Sequence, residues 1–166
     1  KGSKSAPIIL SMAGVSSGDL DHLTSQYDAW IQSQKKLAAA LEGEFAAAAN
    51  LNITSAESSL SRIRDGIHLI KSDAKVSKAF QLMCRAMHMQ RARSSVRRRR
   101  AAVNPSRDNA YCGQWDQPIN SDSQVQTAWR PFQLAFILQN LKGSISHEER
   151  EIVDVLWFPT GGGKTE

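Results

Sequence analysis

The sequence predicts a mostly α-helical chain: a helical bundle or hairpin array, followed by the first helix, strand and glycine-rich turn of an α/β domain. Three observations predict this. Apolar residues recur at steps of three and four along much of residues 19–92. Alanine is plentiful and aromatic residues make up only 7%, a balance that favours helix. Near the end, the apolar run Ile152 to Phe158 meets Pro159-Thr160-Gly161-Gly162-Gly163-Lys164-Thr165. That is the order of a buried strand, a turn able to wrap a phosphate, and a helix start. Four segments follow from these shifts in pattern: a loose lead-in at 1–18, a helical domain at 19–92, a basic and polar linker at 93–124, and the start of an α/β domain at 125–166.

The lead-in is rich in Ser, Gly and Lys, with one apolar island, Ile8-Ile9-Leu10, read as a short strand or a docking peptide. Ser17 or Asp19 can cap the first helix. Its predicted stripe is Leu23, Tyr27, Trp30, Leu37, Leu41 and Phe45. Ala46 to Ala49 extend the helix, and Asn50-Leu51-Asn52 is expected to end it. Thr54 or Ser55 then starts a second helix near a capping box, with Leu60, Ile63, Ile67 and Ile70 as its buried face. Gly66 either weakens that helix or lets a neighbour approach closely. After the turn Lys71-Ser72-Asp73, Asp73 caps a third helix carrying Val76, Phe80, Met83 and Met87. Short links imply antiparallel neighbours. The methionines read as packing residues, and the isolated His68 and His88 as ordinary polar contacts rather than metal ligands.

The third helix is expected to dissolve near Asn104-Pro105, and Asn104 to Ser123 reads as a loop. Pro131 fits the first turn of a further helix, where its missing N–H is not needed. Phe132, Phe136, Ile137, Leu138 and Leu141 form its predicted face, and Lys142-Gly143 its predicted end. The Asn52-Ile53-Thr54 sequon carries no expected role.

The net charge is +5, and the excess is local: Arg91, Arg93, Arg97, Arg98, Arg99, Arg100 and Arg107 share one short segment. Such a cluster fits an anionic partner, or a solvated, mobile loop edge. Cys84 and Cys112 have no metal-ligand or disulfide pattern, so a reducing cytoplasm is expected. No run approaches the roughly 18 apolar residues of a membrane span, and Ile8 to Val15 is too short and interrupted for a secretory signal. The chain begins at Lys1 rather than Met and stops where a helix should follow the glycine turn. Both ends are therefore expected to be cuts or edges of a larger protein.

The chemistry sits in the last forty residues. Backbone N–H groups of Thr160, Gly161, Gly162 and Gly163 can surround the β- and γ-phosphates of ATP. Lys164 adds a positive charge there, and the Thr165 hydroxyl can hold Mg²⁺. Phe158 occupies the place of the first glycine in the simplest phosphate-loop rule. The stretch Pro159 to Thr165 is instead similar to the P-loop of superfamily 2 helicases, where alanine is usual at the position of Phe158. Arg130-Pro131-Phe132-Gln133 resembles their Arg-x-aromatic-Gln element, and Gln133 lies 31 residues before Lys164. An amide offers one donor and one acceptor edge, which is what adenine requires.

The longer stretches Trp129 to Leu138 and Val155 to Glu166 resemble the helicase-like subunit family of the DISARM bacterial anti-phage system, with a looser resemblance over residues 55–92. The resemblance implies a helical region ahead of a RecA-like domain, here truncated, in an ATP-driven DNA translocase that works beside a partner subunit. On that reading Arg91, Arg93 and Arg97 to Arg100 track DNA phosphates, with Tyr111 and Trp115 available for stacking. Two other readings stay open: a helical scaffold that docks a partner, and a P-loop ATPase that is not a helicase. No Asp-Glu-x-His or Asp-Glu-x-Asp occurs in the 166 residues. They therefore carry no metal-binding carboxylate of the usual kind and are not expected to hydrolyse ATP alone.

Overall fold

The computed structural model describes residues 10–12, 14–103 and 127–146, with the backbone alone for 92–103. In chain order the elements are β1 (Leu10–Ser11), α1 (Ser17–Ala38), α2 (Gly43–Ser72), α3 (Ala74–Val103), β2 (Ala128–Trp129) and α4 (Pro131–Ile145). They fall into two compact units. One comprises Ser16–Ser77 and Arg130–Glu166, and so contains α1, α2, the first turn of α3 and α4. The other comprises Lys1–Val15 and Lys78–Trp129, and contains β1, the rest of α3 and β2. The predicted strand at 152–158 and glycine turn, the loop at 104–123, Ile8 and Ile9 lie outside the described residues.

The cap of α1 is Ser16, one residue before Ser17 and three before Asp19, the two predicted caps. Ser16 Oγ accepts the Asp19 backbone N–H at 3.1 Å, and Asp19 Oδ2 accepts the Ser16 N–H at 2.9 Å and its hydroxyl at 2.7 Å. This is a reciprocal capping box, which satisfies two orphan donors of the first turn. These hydrogen bonds hold the Asp19 carboxyl below its ordinary pKa, the side-chain bond to Ser16 most of all.

α1 and α2 form an antiparallel hairpin tied by three ion pairs. Asp21 meets Lys71 at 2.7 Å, Asp28 meets Arg64 at 2.6 Å, and Lys35 meets Glu57 at 2.5 Å. Each pair is seven residues along α1 and seven back along α2 from the previous one, so the same faces meet every two turns. Between them Leu20, Leu23 and Ile31 of α1 and Leu60, Ile63 and Ile67 of α2 are buried.

The break between these helices differs from the predicted one. α1 ends at Ala38 and α2 begins at Gly43, with φ +58. Asn50, Leu51 and Asn52 are helical, and Thr54 and Ser55 start nothing. Their hydroxyls donate back to the carbonyls of Asn50 and Leu51, both at 3.0 Å, so they serve the helix they lie in. Asparagine costs a helix interior only a few tenths of a kcal/mol, too little to stop a helix flanked by alanines. The ion-pair register also sets Ala38 level with Thr54. Residues 43–53 therefore run past the end of α1, which leaves Phe45 and Leu51 70% and 69% exposed. Trp30, Leu37 and Leu41 of the predicted stripe are exposed as well; the buried stripe is Leu20, Leu23, Thr24 and Ile31.

α4 packs on the opposite end of α2. Leu134 and Leu138 are fully buried, and the backbone of Leu138 lies directly over Gly66. A Cβ on Gly66 would sit 2.9 Å from the Leu138 carbonyl carbon and closer still to its oxygen. Of the two readings of Gly66, close approach is the one realised. Lys142 faces Asp65 at 3.6 Å across the same contact. Phe132, Phe136, Ile137 and Leu141 are half-buried, so the predicted face is narrower than expected. The helix also passes Gly143 and ends at Ile145, since one interior glycine costs only about 1 kcal/mol.

Asp73 caps α3 as predicted, its Oδ1 accepting from the N–H groups of Lys75 (2.7 Å) and Val76 (3.2 Å). In the second unit β1 and β2 pair antiparallel, Leu10 opposite Trp129 and Ser11 opposite Ala128, and Met12 N–H extends the ladder to Thr127 O at 3.0 Å. Leu10, Met12, Phe80, Cys84 and Trp129 are its buried apolar residues.

Gly66→Ala is expected to destabilise the chain by about 1–3 kcal/mol, because backbone rather than a flexible side chain must move. Gly18→Ala, whose Cβ would meet only Ser16 Oγ at 3.7 Å, is expected to be neutral or to stabilise by up to about 1 kcal/mol; urea melts of the two variants check the contrast. Asp19→Asn is expected to lose about 0.5–1 kcal/mol at neutral pH. The folded-state pKa is depressed, so the Asp19 contribution is present above the ordinary value of 3.8 and fades as pH falls through the lower folded value. Melts of wild type and Asp19→Asn should therefore converge in acid.

Candidate functional site

The predicted adenine-reading element lies at the start of α4. Arg130 is extended, with φ −73 and ψ 135, Pro131 occupies the first helical position, and Gln133 the third. Proline presets the helical φ where no N–H is required. From the third position a side chain can reach back to the cap, and Gln133 Oε1 accepts the Arg130 backbone N–H at 3.2 Å. That bond fixes the direction of the amide. An amide oxygen has two lone pairs, so capping and recognition of a base edge are chemically compatible. Arg130, with no side-chain acceptor, takes part through its backbone.

Phe132, the aromatic member of the element, faces elsewhere. With Pro131, Ala135, Phe136 and Gln139 of α4 it lines a cleft of about 480 Å³, closed by Leu23, Tyr27 and neighbours on α1 and by Ser59 and Ile63 on α2. Gln133 is not part of that lining. Tyr27 stacks on Trp30 with ring centroids 5.8 Å apart, and burial raises its phenol pKa. Thr160, Gly161, Gly162, Gly163, Lys164 and Thr165 lie outside the described residues.

The predicted nucleic-acid arginines fall on α3. The helix is continuous from Ala74 to Val103 and crosses the expected start of the linker at residue 93 without a break. Arg91 is half-buried on it. Arg93, Arg97, Arg98, Arg99 and Arg100 lie on its last turns, where only the backbone is described.

One turn before Arg91 a polar cluster faces β2. His88 Nδ1 and Thr127 Oγ1 are 2.5 Å apart, with the donor set by the imidazole tautomer. His88 thus makes the ordinary polar contact expected of it. Cys84, one turn earlier, is 2% exposed. Burial pushes its thiol pKa up, and the Trp129 indole pulls it weakly down. The contact is too loose to satisfy the indole N–H, which has no hydrogen-bond partner. Thr127 gave no signal in the sequence, because its role depends on β2 lying beside α3. Among the described residues no three His, Cys, Asp or Glu side chains could hold a metal ion, and no helix is long and apolar enough to cross a membrane.

The described residues define a mostly helical chain with a small two-stranded sheet, whose last described helix opens on Arg130-Pro131-Phe132-Gln133. The chain is similar to the DISARM protein DrmA of Bacillus paralicheniformis, with 36% identity over 154 residues. The match takes in 89% of this chain and 12% of that protein, so the chain spans about an eighth of the relative's length. No family model matches the chain, and no solved structure does.

The cap bond of Gln133 and the base reading expected of it are separable. Gln133→Glu keeps an acceptor for the Arg130 N–H, at a helix N-terminus that favours negative charge, and loses the amide donor. Its melting temperature is expected to stay within about 2 °C of wild type, against a loss of about 1 kcal/mol for Gln133→Ala. Both variants are expected to lose discrimination of ATP from GTP, as read by competition binding to the full chain.

Proposed function

We propose that the chain is the N-terminal part of an ATP-dependent DNA helicase or translocase subunit of a bacterial phage-defence system. The observation that carries this reading is the 36% identity to a DISARM protein over 154 residues. It is joined by the phosphate-loop sequence Pro159 to Thr165, whose Lys164 lies 31 residues beyond Gln133. In this reading Gln133 holds the adenine edge, and Arg130 flanks it. The backbone of Thr160 to Gly163 and the Lys164 ammonium hold the phosphates, and Thr165 holds Mg²⁺. ATP and Mg²⁺ supply the phosphoryl-transfer chemistry. The arginines from Arg91 to Arg100 hold DNA phosphates.

A second reading, a docking platform for a partner subunit, is favoured by one specific observation. At the free end of the α1–α2 hairpin Trp30, Leu37, Leu41, Phe45 and Leu51 are all exposed. There Trp30, Leu37, Leu41 and Ile53 line a groove of about 540 Å³. Exposed apolar surface on this scale marks interaction sites. The two readings are compatible, since a motor subunit can carry its own docking element.

The test is DNA-stimulated ATP hydrolysis by the full-length protein. Lys164→Ala is expected to lower kcat at least about a hundredfold, since it removes a charge that stabilises the transition state. Hydrolysis equal to wild type in that variant would remove the phosphate-loop assignment. Leu37→Asp with Phe45→Asp is expected to weaken association with the partner subunit and leave DNA-stimulated hydrolysis in place.

A further inference from the structure

α3 carries nine Lys and Arg residues and no Asp or Glu over its 30 residues. The rest of the chain carries 12 Lys and Arg against 16 Asp and Glu, net −4. The positive charge of the protein is therefore a property of one helix. The arginine-rich end is only part of it. Lys78 and Arg85 lie seven residues apart on α3, two turns or about 10.5 Å along one face, with Gln81 between them. All three are exposed, and none makes an ion pair or hydrogen bond among the described residues.

Unpaired exposed cations are ordinarily just hydrated. These differ in what lies beside them. Lys78, Gln81 and Arg85 line a cavity of about 380 Å³ whose opposite wall is Gly14 and Val15. Leu82, 53% exposed, and the nearly buried Phe80 and Cys84 give it an apolar side. Open space surrounds the Gly14 Cα, where an added Cβ would meet nothing within 4 Å, so a ligand can approach that backbone closely. The volume falls in the lower part of the range for ligand pockets, about 300–1,000 Å³. Two cations and an amide at the rim with an apolar interior suit a group that is anionic at one end and flat and apolar at the other.

A nucleotide has that form, and α3 favours one within a strand over a free one. The helix runs unbroken from the cavity to Val103, so a strand leaving it stays beside the same basic element for about 33 Å, from Lys78 to Arg100. We propose that Lys78, Gln81 and Arg85, with the Gly14–Val15 wall, form a nucleotide subsite for single-stranded nucleic acid. A strand phosphate lies between Lys78 and Arg85, and its base lies against Leu82. The proposal rests on the nucleic-acid reading of the arginine cluster and extends the track two to four turns towards the start of α3.

Fluorescence anisotropy of a labelled single-stranded oligodeoxynucleotide, titrated with the full-length protein across a salt series, tests it. Lys78→Glu with Arg85→Glu is expected to weaken binding at least about tenfold and to flatten the slope of log K against log salt by about 1.4, two lost contacts at roughly 0.7 each. The milder pair Lys78→Gln with Arg85→Gln should fall between, and circular dichroism melts should show both variants folded, as exposed positions predict. If Arg97 to Arg100 reversed to Glu abolishes binding while the Lys78 and Arg85 variants bind as wild type, the subsite is refuted and the DNA reading stands. If neither set changes affinity or slope, both fall. A loss confined to ATP alone, or to sedimentation with phosphatidylserine vesicles, with oligonucleotide binding intact, would also overturn the subsite.

Discussion

The contact between α2 and α4 at Gly66 holds the larger unit together. A backbone carbonyl of one helix rests where any other residue of its partner would place a methyl group. That closeness draws Leu134 and Leu138 into complete burial and sets the rotation of α4. Phe132 and Phe136 then face the cleft beside Tyr27, and Lys142 falls opposite Asp65. Small residues at helix crossings act in this way because dispersion attraction falls off steeply with separation. An interior glycine costs about 1 kcal/mol in helix propensity. Two fully buried leucines, each contributing about 1.5–3 kcal/mol, offset that cost comfortably.

The other side of α2 is governed by register rather than by closeness. The three ion pairs to α1 are exposed at both partners, so each contributes no more than about 1 kcal/mol. Their value lies in discrimination. A slip of one turn would set Asp28 and Lys35 of α1 against residues without the matching charge, and would lose all three pairs at once. The register so chosen is asymmetric about the turn. α2 projects past α1 by three turns, and Phe45 and Leu51 there are left exposed. The exposed groove at the hairpin end follows from the pairing that fixes the hairpin.

Much of the larger unit was legible in the sequence because its signals are local. Asp73 caps α3, Pro131 opens α4, and a glycine inside a strong apolar stripe left close approach at Gly66 as one of two readings. The errors share one cause. Asn50-Leu51-Asn52, Thr54 and Gly143 carry loop or cap preferences of at most about 1 kcal/mol each, too little to stop a helix already running through them. The true turn, Ala39 to Glu42, has weaker local markers than the false one, apart from Gly43 just beyond it. A pairwise reading would have found it: Asp21, Asp28 and Lys35 against Lys71, Arg64 and Glu57 is a complementary series at intervals of seven. The cluster of Cys84, His88, Thr127 and Trp129 had no such signal, since Cys84 and His88 lie 39 or more residues from Thr127 and Trp129 and nothing in their spacing links the two pairs. For the candidate site the sequence supplied the identity of Gln133 but not its state, because the bond to Arg130 depends on where the helix begins.

That bond ties the hairpin to the predicted chemistry. Among early helical positions the third can reach back to the cap N–H, which is why the spacing Arg130-Pro131-Phe132-Gln133 behaves as one structural piece. An adenine-reading amide must be held in one orientation, since a flipped amide exchanges donor for acceptor and reads a different edge. Here the orientation is set by the start of α4, and α4 is seated by Leu134 and Leu138 on α2, one and two turns further along. A disturbance at Gly66 therefore reaches Gln133 through a single rigid helix. The helical hairpin is thus more than a preface to the segment that follows it. It is the support against which the first predicted nucleotide contact is aligned.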